Sequence, residues 1–453
     1  MSQKIYQKGK IIRDKTDLLK IYQNACVPRK ELMIGFEVER SGIFNTSLQP
    51  VNYQDGYLEI IKKLVNDLGW KIIDSDQKGN IFALKRSNSF IHTEADGRLE
   101  LVSKPRKTLF ALNREYQIHS NEINQISRIF GIRWIPMGMQ PFAKTKEIKY
   151  CPKKRMKFLK DYFIKLPKGE IQLKKINGIH VNFGYTSEQN AIKKFQTIFR
   201  VAPVLVAMFA NSPLIGHRFS GHYCSRLSVS QNFDYQRTSV KKEFFEENFD
   251  FDKWIDFVIN HSMLYFERKN SFIKLNGQTF NDFLKYGFQG FFPIKKDFFL
   301  HLKSIWSEVR LKEYIEFRSF DSLPPHLIPS TAAIIKGLTL NNDTMDAVNK
   351  LMEKVNFEEY CQVRDDVNKL ALQANLKGKK VLSFAKELLE IASTSLKQHS
   401  IKTKLTSRDE SRFLWPIKEY VFVREQSPAE FVMEMWNGKW HKNPHKLLDW
   451  LEK

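Results

Sequence analysis

Four short stretches of this chain set acidic, basic or imidazole side chains on one side of a strand and apolar ones on the other. They are Ile34-Gly35-Phe36-Glu37-Val38-Glu39, Arg98-Leu99-Glu100-Leu101, Gly178-Ile179-His180-Val181-Asn182-Phe183 and Tyr314-Ile315-Glu316-Phe317-Arg318. Strand side chains alternate faces with period two. Glu37 and Glu39 therefore share a face, opposite Ile34, Phe36 and Val38. In the same way His180 and Asn182 oppose Ile179, Val181 and Phe183, and Glu316 and Arg318 oppose Ile315 and Phe317. A half-exposed sheet ordinarily carries mixed Lys, Thr and Ser on its wet face. Glu, His and Arg in repetition are instead the ligands of Mg²⁺ and of phosphate, so this face is expected to be an active site.

Each feature also has a plainer explanation. Glu37 and Glu39, about 6.5–7 Å apart at the backbone by strand rise, could hold a row of divalent ions or simply edge a solvated strand. Glu94 and Glu100 bracket Asp96-Gly97, a turn signal in which acids are commonly just hydrated. A lone histidine such as His180 is more often structural than a ligand. Glu316 and Arg318 could pair with each other. Arg226 and Arg237 flank a polar stretch, Ser228 to Tyr235, that reads as a loop. There is no Walker A, G-x-G-x-x-G or G-x-S-x-G pattern, so a P-loop, a dinucleotide fold and a serine hydrolase elbow are not expected.

The elements that must position these groups follow from apolar spacing. Helices are expected at 15–27 and 55–69, the latter with Leu58, Ile61, Leu64, Val65 and Leu68 as its stripe and Gly69 as its stop. Strands are expected near 71–74, 80–85 and 98–102, then a helix over 108–130 and a strand at 132–137. The basic stretch from Pro152 to Phe163 reads as helical after its proline. Ser187 can cap a helix running to Asn211, bent or broken at Pro203. Residues 253–268 and 279–285 read as helices and 311–319 as the last strand. Beyond 328 the pattern is helical, at 328–339, 343–354, 357–374 and 379–397. Ser427-Pro428-Ala429-Glu430 is a capping box opening a helix that stops at Asn437-Gly438. The architecture expected is α+β, a sheet with inward polar residues wrapped by helices and followed by a helical tail.

At 453 residues, with 42% hydrophobic content and 36 Phe, the chain can fill a large core. Its formal charge of +23 raises a nucleic-acid binder as a rival from another class. The lysines are spread along the whole length, however, with clusters no longer than Lys153-Lys154-Arg155, and a Lys-rich solvated surface that favours anionic small substrates accounts for the charge. Cys26, Cys151, Cys224 and Cys361 form neither a CxxC site nor a dense disulfide framework, which fits a reducing cytoplasm. No signal-like segment opens the chain and no apolar run is long enough to span a membrane.

Taken together the motifs resemble the glutamate–cysteine ligases, closest to the plant-type branch, whose catalytic sheet is related to that of glutamine synthetase. The Glu37-x-Glu39 strand resembles the family's opening Glu-x-Glu strand, and Glu94 to Pro105 its E-x4–5-E-L-x-S-x-P segment. Gly138-Met139-Gln140-Pro141 with Pro152-Lys153-Lys154-Arg155 matches a plant-type pair. Phe209-Ala210-Asn211-Ser212-Pro213, Glu308-Val309-Arg310-Leu311-Lys312 and Met435-Trp436-Asn437-Gly438-Lys439-Trp440 are close to family strings. At two places the chain departs from the plant pattern. His180 stands where that branch has Gln and resembles a G-I-H-x-N-F of another branch, and Arg318 to Pro324 replaces R-G-A-D-G-G-P.

The resemblance implies one catalytic domain over 1–453, with a glutamine-synthetase-like antiparallel sheet forming a funnel within about 1–340 and a helical part over about 341–453. It implies a ligase that joins the γ-carboxylate of L-glutamate to the amine of L-cysteine through γ-glutamyl phosphate. ATP would be co-substrate, and two or three Mg²⁺ ions would be shared by Glu37, Glu39, Glu94, Glu100, His180 and Glu316. Arg318 and Arg237 would stabilise the transferring phosphoryl group, and Arg226, Asn182, Lys153 and Arg155 would bind substrate or nucleotide. The enzyme would be a cytoplasmic monomer or homodimer without membrane or nucleic-acid partners. The departures leave another amine acceptor open.

Overall fold

Nine strands build one antiparallel sheet: β1 (Ile34–Phe44), β2 (Lys71–Ser75), β3 (Ile81–Arg86), β4 (Ser89–Thr93), β5 (Leu99–Val102), β6 (Ile132–Ile135), β7 (Gly178–Phe183), β8 (Val309–Leu311) and β9 (Ile315–Asp321). Their order is β8-β9-β7-β1-β5-β4-β3-β2, with β6 paired to the distal half of β1. These features come from a computed structural model, which describes residues 9–269, 271–399 and 409–452. Residues 1–8 of the basic N-terminal stretch and 400–408 of the helical tail lie outside the described residues.

The alternation read from the sequence becomes two faces. Ile34, Phe36, Val38, Leu101, Ile179, Val181, Phe183, Ile315 and Phe317 all enter the main hydrophobic core. That core is completed by α1 (Leu109–Ile129), α2 (Glu188–Met208) and α3 (Ile328–Thr339), which pack on β1, β7 and β9. It continues without a break into the helical tail, taking in Leu388, Val432 and Leu447. The other face is concave and polar.

Local chemistry explains most element boundaries. Leu58–Leu68 stops at Gly69, whose φ of 69° is the left-handed cap that glycine adopts without strain. Ser187 caps α2 by accepting the Asn190 N–H, as expected, but the helix runs unbroken through Pro203 to Met208. Pro203 lies in a stretch, Val201 to Met208, buried on every side. That packing offsets the roughly 3 kcal/mol an interior proline costs.

Two other expectations are corrected, and one strand was not expected at all. The helix expected over 253–268 ends at Ile259, and Tyr265–Arg268 instead pairs with Ser271–Lys274 as a hairpin. Helical spacing is carried by Trp254, Ile255, Val258 and Ile259, whereas Tyr265, Phe266 and their pairs form an aromatic cluster with Phe158, Phe272 and Phe283. The stretch read as a loop between Arg226 and Arg237 is a helix, Ser225–Phe233. β4 has no counterpart among the expected strands; it pairs β3 with β5 and so continues the sheet.

Candidate active site

Cross-strand register assembles the polar face in three rows. In one, His92, Glu100 and Glu39 stand opposite one another across β4, β5 and β1, and the Gly178 N–H at the start of β7 donates to Glu39 Oε2 at 2.8 Å. The next holds Val102, Glu37 and His180. The third holds Asn182, Glu316 and Arg310 across β7, β9 and β8. Side chains directly opposite in such pairs are close neighbours on one face. Four strands far apart in sequence thus present Glu37, Glu39, Glu100, His180 and Glu316 to one space.

That space is a cavity of about 1280 Å³ whose wall includes all five of these residues together with Glu94, Arg98, Lys153, Arg155, Arg226 and Arg318. The turn between β4 and β5 forms as expected, with the Gly97 N–H donating to the Glu94 carbonyl, and it brings Glu94 to the wall.

A β-bulge shapes the far side. Val181 faces Phe317 and Ile179 faces Phe320, so His180 alone is opposed by both Arg318 and Ser319. An extra residue of this kind re-aims the side chains beside it, and here Ser319 lines the cavity together with Arg318. Arg226 locks the bulge by donating from Nη2 to the Arg318 carbonyl at 2.9 Å. The guanidinium lies against Gly178, where a Cβ would come within 2.3 Å of Nη2. Glycine is needed there for close approach, not for a turn.

At the centre, Glu37 Oε2 is 2.8 Å from His180 Nδ1 and its Oε1 accepts from Asn182 Nδ2 at 3.0 Å. Glu316 is fully buried and accepts from Arg310 Nε at 2.6 Å, Lys312 Nζ at 3.2 Å and Arg318 Nη1 at 3.2 Å. The plainer reading of Glu316 and Arg318 as an ion pair is therefore also true of them. Burial opposes charge on Glu316, but Arg310, Lys312 and Arg318 hold its carboxyl well below the usual range. Burial and the Glu316 charge likewise push Glu37 up, and His180 and Lys312 outweigh them to leave it at about 2. Glu100 goes the other way: burial, then Glu37, Glu94 and Glu39, raise it well above an ordinary carboxyl.

The donor atoms of Glu37, His180 and Glu316 lie within 4.8 Å of one another. Small side-chain movements would let them share one cation, and the buried Asn182 Oδ1 beside them has no partner. Two carboxylates and an imidazole suit a divalent ion. Glu100 and the three carboxylates around it need positive charge between them to be ionised together. The residues present fit cation binding.

The remaining predicted residues divide. Lys153 and Arg155 face the cavity, Lys153 reaching the Thr93 carbonyl at 3.4 Å, and burial followed by Arg155 lowers the Lys153 ammonium. Asn182 orients Glu37. Arg237 is not brought to the cavity wall: its guanidinium donates to Ser304 Oγ at 2.9 Å, Ser262 O at 2.5 Å and Tyr162 Oη at 3.2 Å, and it pairs with Asp234 at 3.3 Å.

Sequence reasoning quoted Arg98 in a strand and Glu308, Arg310 and Lys312 in a family-like string without giving them a role at the site, and it passed over Lys303 and Arg364; all six line the cavity. Period-two alternation in Glu308-Val309-Arg310-Leu311-Lys312 was a usable signal, since Val309 and Leu311 enter the core. Lys303 and Arg364, at a helix end and on a helix face, carry none.

Over residues 33–447 the chain matches the model of glutamate–cysteine ligase family 2, and the protein belongs to that family. It is 28% identical over 440 residues to the chloroplastic glutamate–cysteine ligase of Medicago truncatula, covering 96% of this chain and 84% of that protein. With the chloroplastic glutamate–cysteine ligase of Arabidopsis thaliana it shares 27% over 438 residues, covering 96% and 82%. A crystal structure of the Francisella tularensis glutamate–cysteine ligase (gshA) in complex with AMP has a TM-score of 0.55 at 14% identity, over 93% of this chain and 89% of that one. The two share a fold.

Proposed function

We propose that the protein is an ATP-dependent ligase joining the γ-carboxylate of L-glutamate to the amine of L-cysteine, the first step of glutathione biosynthesis. The observation that carries this reading is the convergence of Glu37, His180 and Glu316 beside Arg318 on the concave face, in a chain of the glutamate–cysteine ligase family.

The reaction requires two anions to meet. A γ-carboxylate oxygen of glutamate attacks the terminal phosphorus of ATP, ADP leaves, and γ-glutamyl phosphate forms. The cysteine amine then attacks the acyl carbon, loses a proton, and phosphate departs with the bonding pair. Glu37, Glu39, Glu94, Glu100, His180 and Glu316 would hold two or three Mg²⁺ ions, whose charge when bound lowers the repulsion between the reacting anions. Arg318, beside Glu316 on the cavity wall, stabilises charge on the transferring phosphoryl group. Lys153 and Arg155 supply cations for the nucleotide. Arg226 fixes the Arg318 backbone, Asn182 fixes Glu37, and we assign Arg237 the task of holding the wall behind the Ser225–Phe233 helix.

Every residue named comes from one chain, so a monomer or a homodimer can carry the site. The four cysteines are free, which fits a reducing compartment such as the cytoplasm. Among the described residues no helix is long and apolar enough to cross a membrane.

Purified protein incubated with Mg-ATP, glutamate and a panel of amines tests the reading by ADP release and product mass. Cysteine-dependent γ-glutamylcysteine is expected, and it should cease when Mg²⁺ is chelated. ADP release only with a different amine would change the acceptor, and none with any amine would overturn the proposal.

A further inference from the structure

One acid in the cavity wall has no role in this chemistry. Glu308 is only 5% exposed, lies on the wall, and its Oε2 has no hydrogen-bond partner. Its other oxygen is paired with Arg364 Nε. Arg364 also lines the cavity, and beyond that pair its terminal nitrogens make only long contacts, Nη2 to the Thr238 carbonyl at 3.4 Å and Nη1 to the Gln231 side-chain oxygen at 3.3 Å, which leaves terminal N–H groups to spare. The wall therefore carries a carboxylate and a guanidinium side by side, each with polar capacity left over, and a buried unpaired carboxylate oxygen is costly unless something fills it.

The backbone fixes where this pair stands. The Arg318 N–H donates to the Glu308 carbonyl at 2.8 Å. Arg310 opposes Glu316 and Val309 opposes Phe317, so Glu308 continues the ladder opposite Arg318 on the cavity face. The pair is thus one cross-strand neighbour away from the group assigned to the phosphoryl transfer, about 5 Å at the backbone. Glutamate separates its reacting γ-carboxylate from its α-carbon by two methylenes, a comparable reach.

We propose that Glu308 and Arg364 form the subsite for the α-amino and α-carboxylate groups of the glutamate substrate. This rests on the ligase reading and deepens it. An alternating arrangement of Glu308 carboxylate, substrate ammonium, substrate carboxylate and Arg364 guanidinium satisfies both wall groups. Chemistry selects glutamate over cysteine as the occupant. The cysteine nitrogen must give up its proton and attack, so a carboxylate holding it as ammonium would oppose the reaction. The glutamate α-groups keep their charges from start to finish and can be gripped throughout.

The test uses substrates that each lack one handle. Glutarate has the reacting carboxylate without the ammonium, and 4-aminobutyrate has it without the α-carboxylate. With saturating ATP and cysteine, wild-type kcat/KM should strongly favour glutamate over both. In Glu308→Gln the glutamate-to-glutarate ratio should shrink roughly tenfold to a hundredfold, the worth of one charged hydrogen bond, while KM for ATP stays within about threefold. In Arg364→Gln the glutamate-to-4-aminobutyrate ratio should shrink instead. A merely structural loss would lower all three substrates in proportion and leave the ratios where they were, and unchanged ratios in both variants would overturn the assignment. A wild-type protein with no glutamate-dependent turnover would instead sink the ligase reading itself, so the two failures are distinguishable.

Discussion

Glu37 is the residue on which most of the site depends, because it touches His180 and Asn182 and lies beside Glu316. Glu37→Gln keeps the shape and removes the charge. Turnover should fall by at least about a thousandfold with the melting temperature within a few degrees of wild type; near wild-type turnover would remove Glu37 from the chemistry. Asp321 shows a different kind of buried acid. It accepts from the Asn211 N–H and the Ser212 hydroxyl, both at 2.7 Å, and packs against Gly138. Burial raises it to about 6, with Arg226 and these donors opposing. A carboxyl raised in the folded state stabilises most below its unfolded value, and that contribution is lost as pH rises through 6. Stability of wild type relative to Asp321→Asn should therefore drop by about 3 kcal/mol between pH 3.5 and 7.5, as read from denaturant titrations of both proteins. A pH-independent difference would mean that Asp321 is ionised throughout.

The strands show what a sequence can and cannot disclose about such a site. β1, β7 and β9 were legible because period-two alternation set Glu, His and Arg against Ile, Phe and Val, and each of those apolar residues does enter the core. The bulge at Arg318-Ser319 was not legible, since it depends on how β9 meets β7 and not on either strand alone. Nor was the place of Lys303 and Arg364, which only tertiary packing distinguishes from surface cations. Some family-like strings turned out to be scaffold. The Gly138 N–H donates to the Asn211 carbonyl, and Asn211 Nδ2 donates to Pro136 and Ser322. Gly138-Met139-Gln140-Pro141 and Phe209-Ala210-Asn211-Ser212-Pro213 meet in this buried polar knot and not on the cavity wall. Gly178 is the point where scaffold and site join. Gly178→Ala should displace Arg226, release the bulge and lower kcat at least tenfold, measured beside a thermal melt. Unchanged kcat would show that Arg318 does not need this support.

Across the whole molecule the net charge is +23, and Lys153, Lys154, Arg155, Lys303 and Arg310 are among the cations that line the cavity beside its carboxylates. Such a field concentrates polyanions and is screened by salt. Raising ionic strength from about 10 to 150 mM should reduce kcat/KM for ATP several-fold and leave that for zwitterionic cysteine nearly constant; equal sensitivity would reduce the charge to a solubility device.

In the proposed reaction the cavity moves a phosphoryl group onto the γ-carboxylate of glutamate. Glutamate labelled with ¹⁸O in that carboxylate decides it. Turnover with ATP and cysteine should release inorganic phosphate carrying one ¹⁸O atom, because the oxygen that attacks phosphorus leaves with it. Unlabelled phosphate accompanying amide formation would contradict the acyl-phosphate route, and with it the roles of Arg318 and the carboxylates around it.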